Sequence, residues 1–204
     1  FLLSLYLYHR GLSRWLWHLP LLMILWVNLH GGFAIGLGLI GLLVVARIAE
    51  GLLMKKPLAI WHPLMVLGLS GLAALANPNG WEGLSYPLTY IGSDNPSMQY
   101  VSEWQSPNFH EPYWLLFLVS LLVLMALGVA NSRLGAWPFL LTALLTTMVL
   151  QSARHFPLFA LSVAPIAGEA LRVRFNSLSW PRRQVESLTL GRLNWLILVL
   201  LTAV

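Results

Sequence analysis

The chain has 204 residues, of which 58% are hydrophobic and 9% charged, and its mean hydropathy is +0.73. A soluble domain carries roughly 25% charged residues, so this composition leaves too little polar surface to cover a water-soluble globule. Cysteine is absent, which excludes disulfide and thiolate chemistry, and the formal charge of +5 reads as a record of loop topology rather than of nucleic-acid binding.

Taken in chain order, apolar runs fall near residues 1–8, 16–29, 32–49, 58–76, 113–130, 136–152, 156–171 and from 192 onward. At about 20 residues per bilayer crossing, this predicts an all-α fold: a polytopic transmembrane helix bundle of about seven or eight segments. Residues 1–204 read as one transmembrane domain. Phe1 and Val204 both fall inside apolar runs, so both ends read as cut from a longer polypeptide. Asn28-Leu29-His30-Gly31-Gly32 interrupts the apolar stretch from Trp15 to Ala46, and its polar side chains and paired glycines predict a hairpin there.

Charge placement tests the hairpin. With it, Arg10, Arg14, Arg47, Lys55, Lys56, Arg133, Arg172, Arg174, Arg182, Arg183 and Arg192, eleven of the twelve basic residues, share one side. Glu82, Asp94, Glu103 and Glu111 fall on the other, and the positive-inside rule makes the basic side cytoplasmic. A single helix over 15–46 would divide Arg10 from Arg47 and lose this agreement. The longest non-apolar stretch, 77–112, then lies outside. Its prolines and its Trp and Tyr residues predict an ordered non-cytoplasmic loop with one or two short helices at the membrane interface.

Four side chains stand out as candidate ligands. Arg154 is the one basic residue on the outer side, between two apolar helices and beside His155; its planar fork suits phosphate oxygens, and the alternative is snorkelling to the interface. Asn28 and His30 sit at the outer end of a helix pair, where they either face a cavity or close a tight turn anchored by Trp26. Glycines 32, 36, 38 and 41 suggest close helix packing, and Asn77-Pro78-Asn79-Gly80 reads as a turn. Asp94, Glu103, His110 and Glu111 follow no recognised metal spacing; a divalent cation at this acidic loop has no further support, and no metal ligand or cofactor is assigned.

The runs WVNLHGGF, NPNGWEGLSYPL, EWQSPNFHE and SARHFPLFAL resemble a group of largely uncharacterised bacterial polytopic membrane proteins. Their layout is similar to the later membrane helices of the GT-C superfamily of lipid-dependent glycosyltransferases. That resemblance implies transfer of a sugar from a polyprenyl-phosphate carrier at the non-cytoplasmic face of the inner (plasma) membrane. It also implies an acidic residue in a first outer loop that serves as catalytic base, which no position here matches, so the catalytic residue stays unassigned. In kind, Arg154 matches the basic residue such enzymes set against the carrier phosphate. The expected partners are the lipid bilayer and a lipid-linked phosphate, with His155, His30 and Asn28 around it and no nucleic acid. A transporter or flippase, or a non-catalytic structural subunit, are the rival classes; most charges lie at segment ends and no repeat is visible, which weighs against transport.

Overall fold

A computed structural model describes residues 1–55, 57–90, 100–129 and 135–177. Among these residues the chain is all-helical, with eight α-helices and no strand: α1 Leu2–His9, α2 Leu19–Leu29, α3 Phe33–Met54, α4 Trp61–Ala73, α5 Gly80–Ser85, α6 Pro112–Val129, α7 Ala136–Gln151 and α8 Phe156–Ser177. Short 3₁₀ turns occupy Ser13–His18, Tyr86–Tyr90, Ser102–Trp104 and Ala153–His155.

Helical spacing decides which faces meet. On α3, Leu39, Ile40, Leu43 and Ala46 are buried, while Val45, Ile48, Leu52 and Leu53 remain exposed. On α7, Trp137, Leu141, Leu145 and Val149 recur every fourth residue and form one buried stripe. These stripes join Leu5 and Tyr8 of α1, Val66 of α4, Phe117 of α6 and Phe159 and Val163 of α8 in one core. Packing neighbours run in the order α2, α4, α3, α7, α8, α6. The exterior is apolar as well: Leu21, Leu25, Leu29, Leu72, Leu116, Phe139 and Leu161 are all exposed.

Contacts between helix ends define two poles. At one, Asn28 Nδ2 donates to the carbonyl of Ala76 at 2.7 Å, the rings of Phe1 and Trp26 meet edge to face at 5.2 Å, and the Ala153 amide donates to the carbonyl of Gln105 at 2.9 Å. At the other, Arg10 pairs with Glu169 at 3.6 Å, the Ala136 amide donates to Glu50 Oε1 at 3.2 Å, and Trp17 lies against His62. The hairpin at 28–32 is therefore present, and α2 and α4 run parallel with α3 antiparallel to both. Arg10, Arg47, Lys55 and Arg172 belong to the second pole. Lys56, Asp94, Arg133, Arg182, Arg183 and Arg192, and the apolar run from 192, lie outside the described residues.

The helices differ from the expected spans in length. Among the described residues only α3 and the stretch Ala153–Arg174 combine the length and apolarity of a membrane crossing, with Trp61–Ala73, Pro112–Ala126 and Ala136–Gln151 shorter apolar helices. At about 1.5 Å per residue, α1 with its 8 residues reaches only ~12 Å. The run 16–29 divides because Pro20 can start a helix but cannot continue one: a 3₁₀ turn ends at His18 and α2 begins at Leu19. The loop from 77 holds α5 and two 3₁₀ turns among its described residues. Asn77 organises its start, donating to the carbonyls of Ala74 and Gly80 and accepting from the Asn79 amide, with Gly80 at φ +50°.

Candidate functional site

The turn between α7 and α8 carries Arg154. Ser152 is extended (φ −151°, ψ 118°), which ends α7 and lets its hydroxyl donate to the carbonyl of Glu103 at 3.1 Å. Together with the amide of Ala153 on the Gln105 carbonyl, this fastens the segment after Tyr100 to the helix turn. The result is local and specific: the Arg154 guanidinium lies over the Trp104 ring, 4.0 Å from its centroid.

An arginine held by its face keeps its N–H donors around the edge of the plane. Among the described residues Arg154 forms no ion pair with a carboxylate; the pairs present are Arg10 with Glu169, Arg47 with Glu50 and Arg172 with Glu169. Beside it opens a cavity of about 800 Å³ lined by Glu103, Tyr113, Trp114, Leu116, Phe117, Ser120, Ala153, Arg154, Phe156 and Pro157. Its aromatic wall is braced edge to face: Trp114 to Phe156 at 5.5 Å, Phe117 to Phe156 at 5.7 Å and Phe117 to Phe159 at 5.1 Å. Each such pair contributes about 0.5–1.5 kcal/mol beyond area burial, so the wall keeps its shape.

The other three sequence candidates lie elsewhere. His155 turns back on its own helix pair, with Nδ1 3.3 Å from the carbonyl of Met148. Asn28 donates to the carbonyls of Ile24 and Ala76, and His30 Nδ1 accepts from the Gly32 amide at 2.8 Å; both side chains are occupied in joining α2 to α3 and α4. None of these three lines the Arg154 cavity. All four share one pole, Arg154 and His155 at the α7–α8 turn and Asn28 and His30 at the α2–α3 turn. Among the described residues no group of three or more His, Asp or Glu side chains could hold a metal ion.

Two features were not legible in the sequence. Trp104 carried no signal beyond being one aromatic in an aromatic loop, and the partners that place it under Arg154 are distant: Ser152 and Glu103 stand 49 positions apart. Arg47 and Glu50 form the second feature, an ion pair at 3.0 Å in α3, in which Glu50 is 5% exposed. Glu50 Oε1 also accepts from the first amide of α7, and Arg47 lies over the Tyr8 ring at 5.2 Å. This cluster ties α1, α3 and α7 at the basic pole, where a carboxylate at a helix N-terminus meets the positive end of the dipole.

No protein-family model, curated protein or solved structure matches this chain.

Proposed function

We propose that the chain is a multi-pass inner-membrane protein of the glycosyltransferase type suggested by its resemblance, in which Arg154 binds the phosphate of a polyprenyl-linked substrate at the non-cytoplasmic face. The observation that carries this reading is a guanidinium stacked on Trp104, with no carboxylate partner among the described residues, at the mouth of an aromatic, apolar cavity. A phosphate needs donors and charge, and an isoprenoid tail needs an apolar wall; the cavity offers both within one helix turn. Two helices suited to crossing a bilayer and the apolar exterior support the membrane setting. In such a setting a desolvated arginine would also stabilise charge on a departing phosphate.

The test is direct binding of farnesyl phosphate and undecaprenyl phosphate to the purified protein in detergent. Arg154→Lys keeps the charge and loses the bidentate fork, so affinity should fall about tenfold, or ~1.4 kcal/mol. Arg154→Ala should fall further, while the thermal midpoint drops only by what the Trp104 stacking contributes, because the residue makes no ion pair among the described residues. Unchanged affinity in both variants would remove the proposed site.

A further inference from the structure

A second cleft, of about 760 Å³, opens between α1 on one side and α7 and α8 on the other, and it is separate from the Arg154 cavity. Its volume lies within the ~300–1,000 Å³ typical of ligand sites. Leu5, Trp137, Leu141, Leu161 and Ile166 give it an apolar wall, and its charged end, at the basic pole, holds Arg10 and Glu169.

Among the described residues the charges at that end do not balance. Arg172 engages Glu169 through two hydrogen bonds, at 3.0 and 2.6 Å. Arg10 approaches the same carboxylate only to 3.6 Å, and its side chain is 52% exposed. Two guanidiniums thus share one carboxylate, and the mouth keeps a positive charge with donors to spare. Farther in, the Ser162 hydroxyl is buried and has no hydrogen-bond partner among the described residues, and Ser162 lines the cleft. Pro165, one turn on in α8, has no N–H to offer the carbonyl of Leu161, so the helix gives up one backbone hydrogen bond beside Ser162. A buried hydroxyl without a partner is unfavourable, and an acceptor oxygen supplied by a ligand would relieve it. Ser162 stands seven residues before Glu169, on the order of 10 Å along the helix.

We propose that this cleft binds an anionic glycerophospholipid, with the phosphate on Arg10, an ester carbonyl accepting from Ser162 Oγ, and one acyl chain along the apolar wall. Charge complementarity selects an anionic head, and the buried Ser162 hydroxyl beside the apolar wall selects an ester-linked chain over a plain hydrocarbon. The proposal shares with the proposed function its membrane orientation, which sets the mouth in the cytoplasmic leaflet where anionic headgroups are enriched, but it is independent of any role for Arg154.

Native mass spectrometry of the full chain in detergent, titrated with dioleoylphosphatidylglycerol and with dioleoylphosphatidylcholine, tests it. One saturable site is expected, with the anionic lipid bound about tenfold more tightly. Arg10→Gln should remove that preference without weakening phosphatidylcholine, whereas Leu161→Trp should abolish both by filling the cleft. Leu161 is 70% exposed, so the indole enters without displacing core atoms; Leu3→Trp, from the α1 wall at 63% exposure, does the same from the other side. Arg154→Ala should leave lipid occupancy unchanged, which separates failure of this site from failure of the phosphate site. Equal affinity for the two lipids, or occupancy that survives Arg10→Gln and both Trp substitutions, would overturn the proposal. So would a dimer that Leu161→Trp dissociates, since the cleft would then belong to a second copy of the chain.

Discussion

Arg154 and Trp104 act as one unit: the indole holds the guanidinium by its face and leaves the edge to a ligand. A cation–π contact contributes about 0.5–2 kcal/mol according to solvation. Trp104→Ala should therefore weaken prenyl-phosphate binding several-fold, in proportion to that loss, while Trp104→Phe retains most of it; calorimetric titration of the two variants separates stacking from simple crowding. Glu50 is the other residue on which much depends. Glu50→Ala would leave Arg47 without its carboxylate and the first amide of α7 without its acceptor, and a loss of ~2–4 kcal/mol is expected, below the 3–5 kcal/mol typical of a fully buried pair because the Arg47 side chain is 25% exposed. Glu50→Gln keeps the acceptor and loses the charge, so its thermal midpoint should fall between those of the parent and the alanine variant.

At the scale of elements, the glycines of α3 separate into two kinds. A Cβ on Gly36 would stand 2.8 Å from Trp26 Cζ3 and 3.2 Å from Met23 Cε, whereas one on Gly38 would meet nothing within 4 Å. The motif Gly32-Phe-Ala-Ile-Gly36 thus does serve packing, but by admitting the Trp26 side chain from α2. Gly36→Ala should destabilise by ~1–3 kcal/mol through overpacking. Gly38→Ala should be neutral or stabilise by up to about 1 kcal/mol, since glycine in a helix interior loses more backbone entropy. Thermal unfolding of the two variants in the same detergent checks both signs. The short α1 and α2 belong here too: Pro20 explains the break before α2, while α1 stops at His9 with Gly11 following at φ +92°, a conformation that glycine adopts without strain.

For the whole molecule, the two poles make a topological prediction that needs no ligand. Gly31 and His110 lie at the pole of Asn28 and Arg154, and Arg14 follows Arg10 at the basic pole. The chain has no cysteine, so Gly31→Cys, His110→Cys and Arg14→Cys each give one label site. An impermeant maleimide applied to intact cells should modify the first two and spare the third, because basic loops stay cytoplasmic. Modification of Arg14→Cys alone would invert the orientation and with it the proposed side of substrate entry.

What the sequence determined by itself was the helical class, the hairpin at 28–32 and, among the described residues, the division of charged residues between two poles. These depend on local quantities: the length of an apolar run, a proline or paired glycines in it, and a charge at its end. Tertiary structure alone decided which ends touch. Nothing near Arg154 in the chain names Trp104 as its platform, nothing near Glu50 names the amide of Ala136, and nothing in the α1 run announces a cleft against α8. Each arises where helices distant in sequence pack side by side, and in a chain this apolar nearly every face is hydrophobic, so periodicity does not say which face turns inward. Long-range packing makes that choice, and it also separates His30 and Asn28 from the cavity that Arg154 occupies.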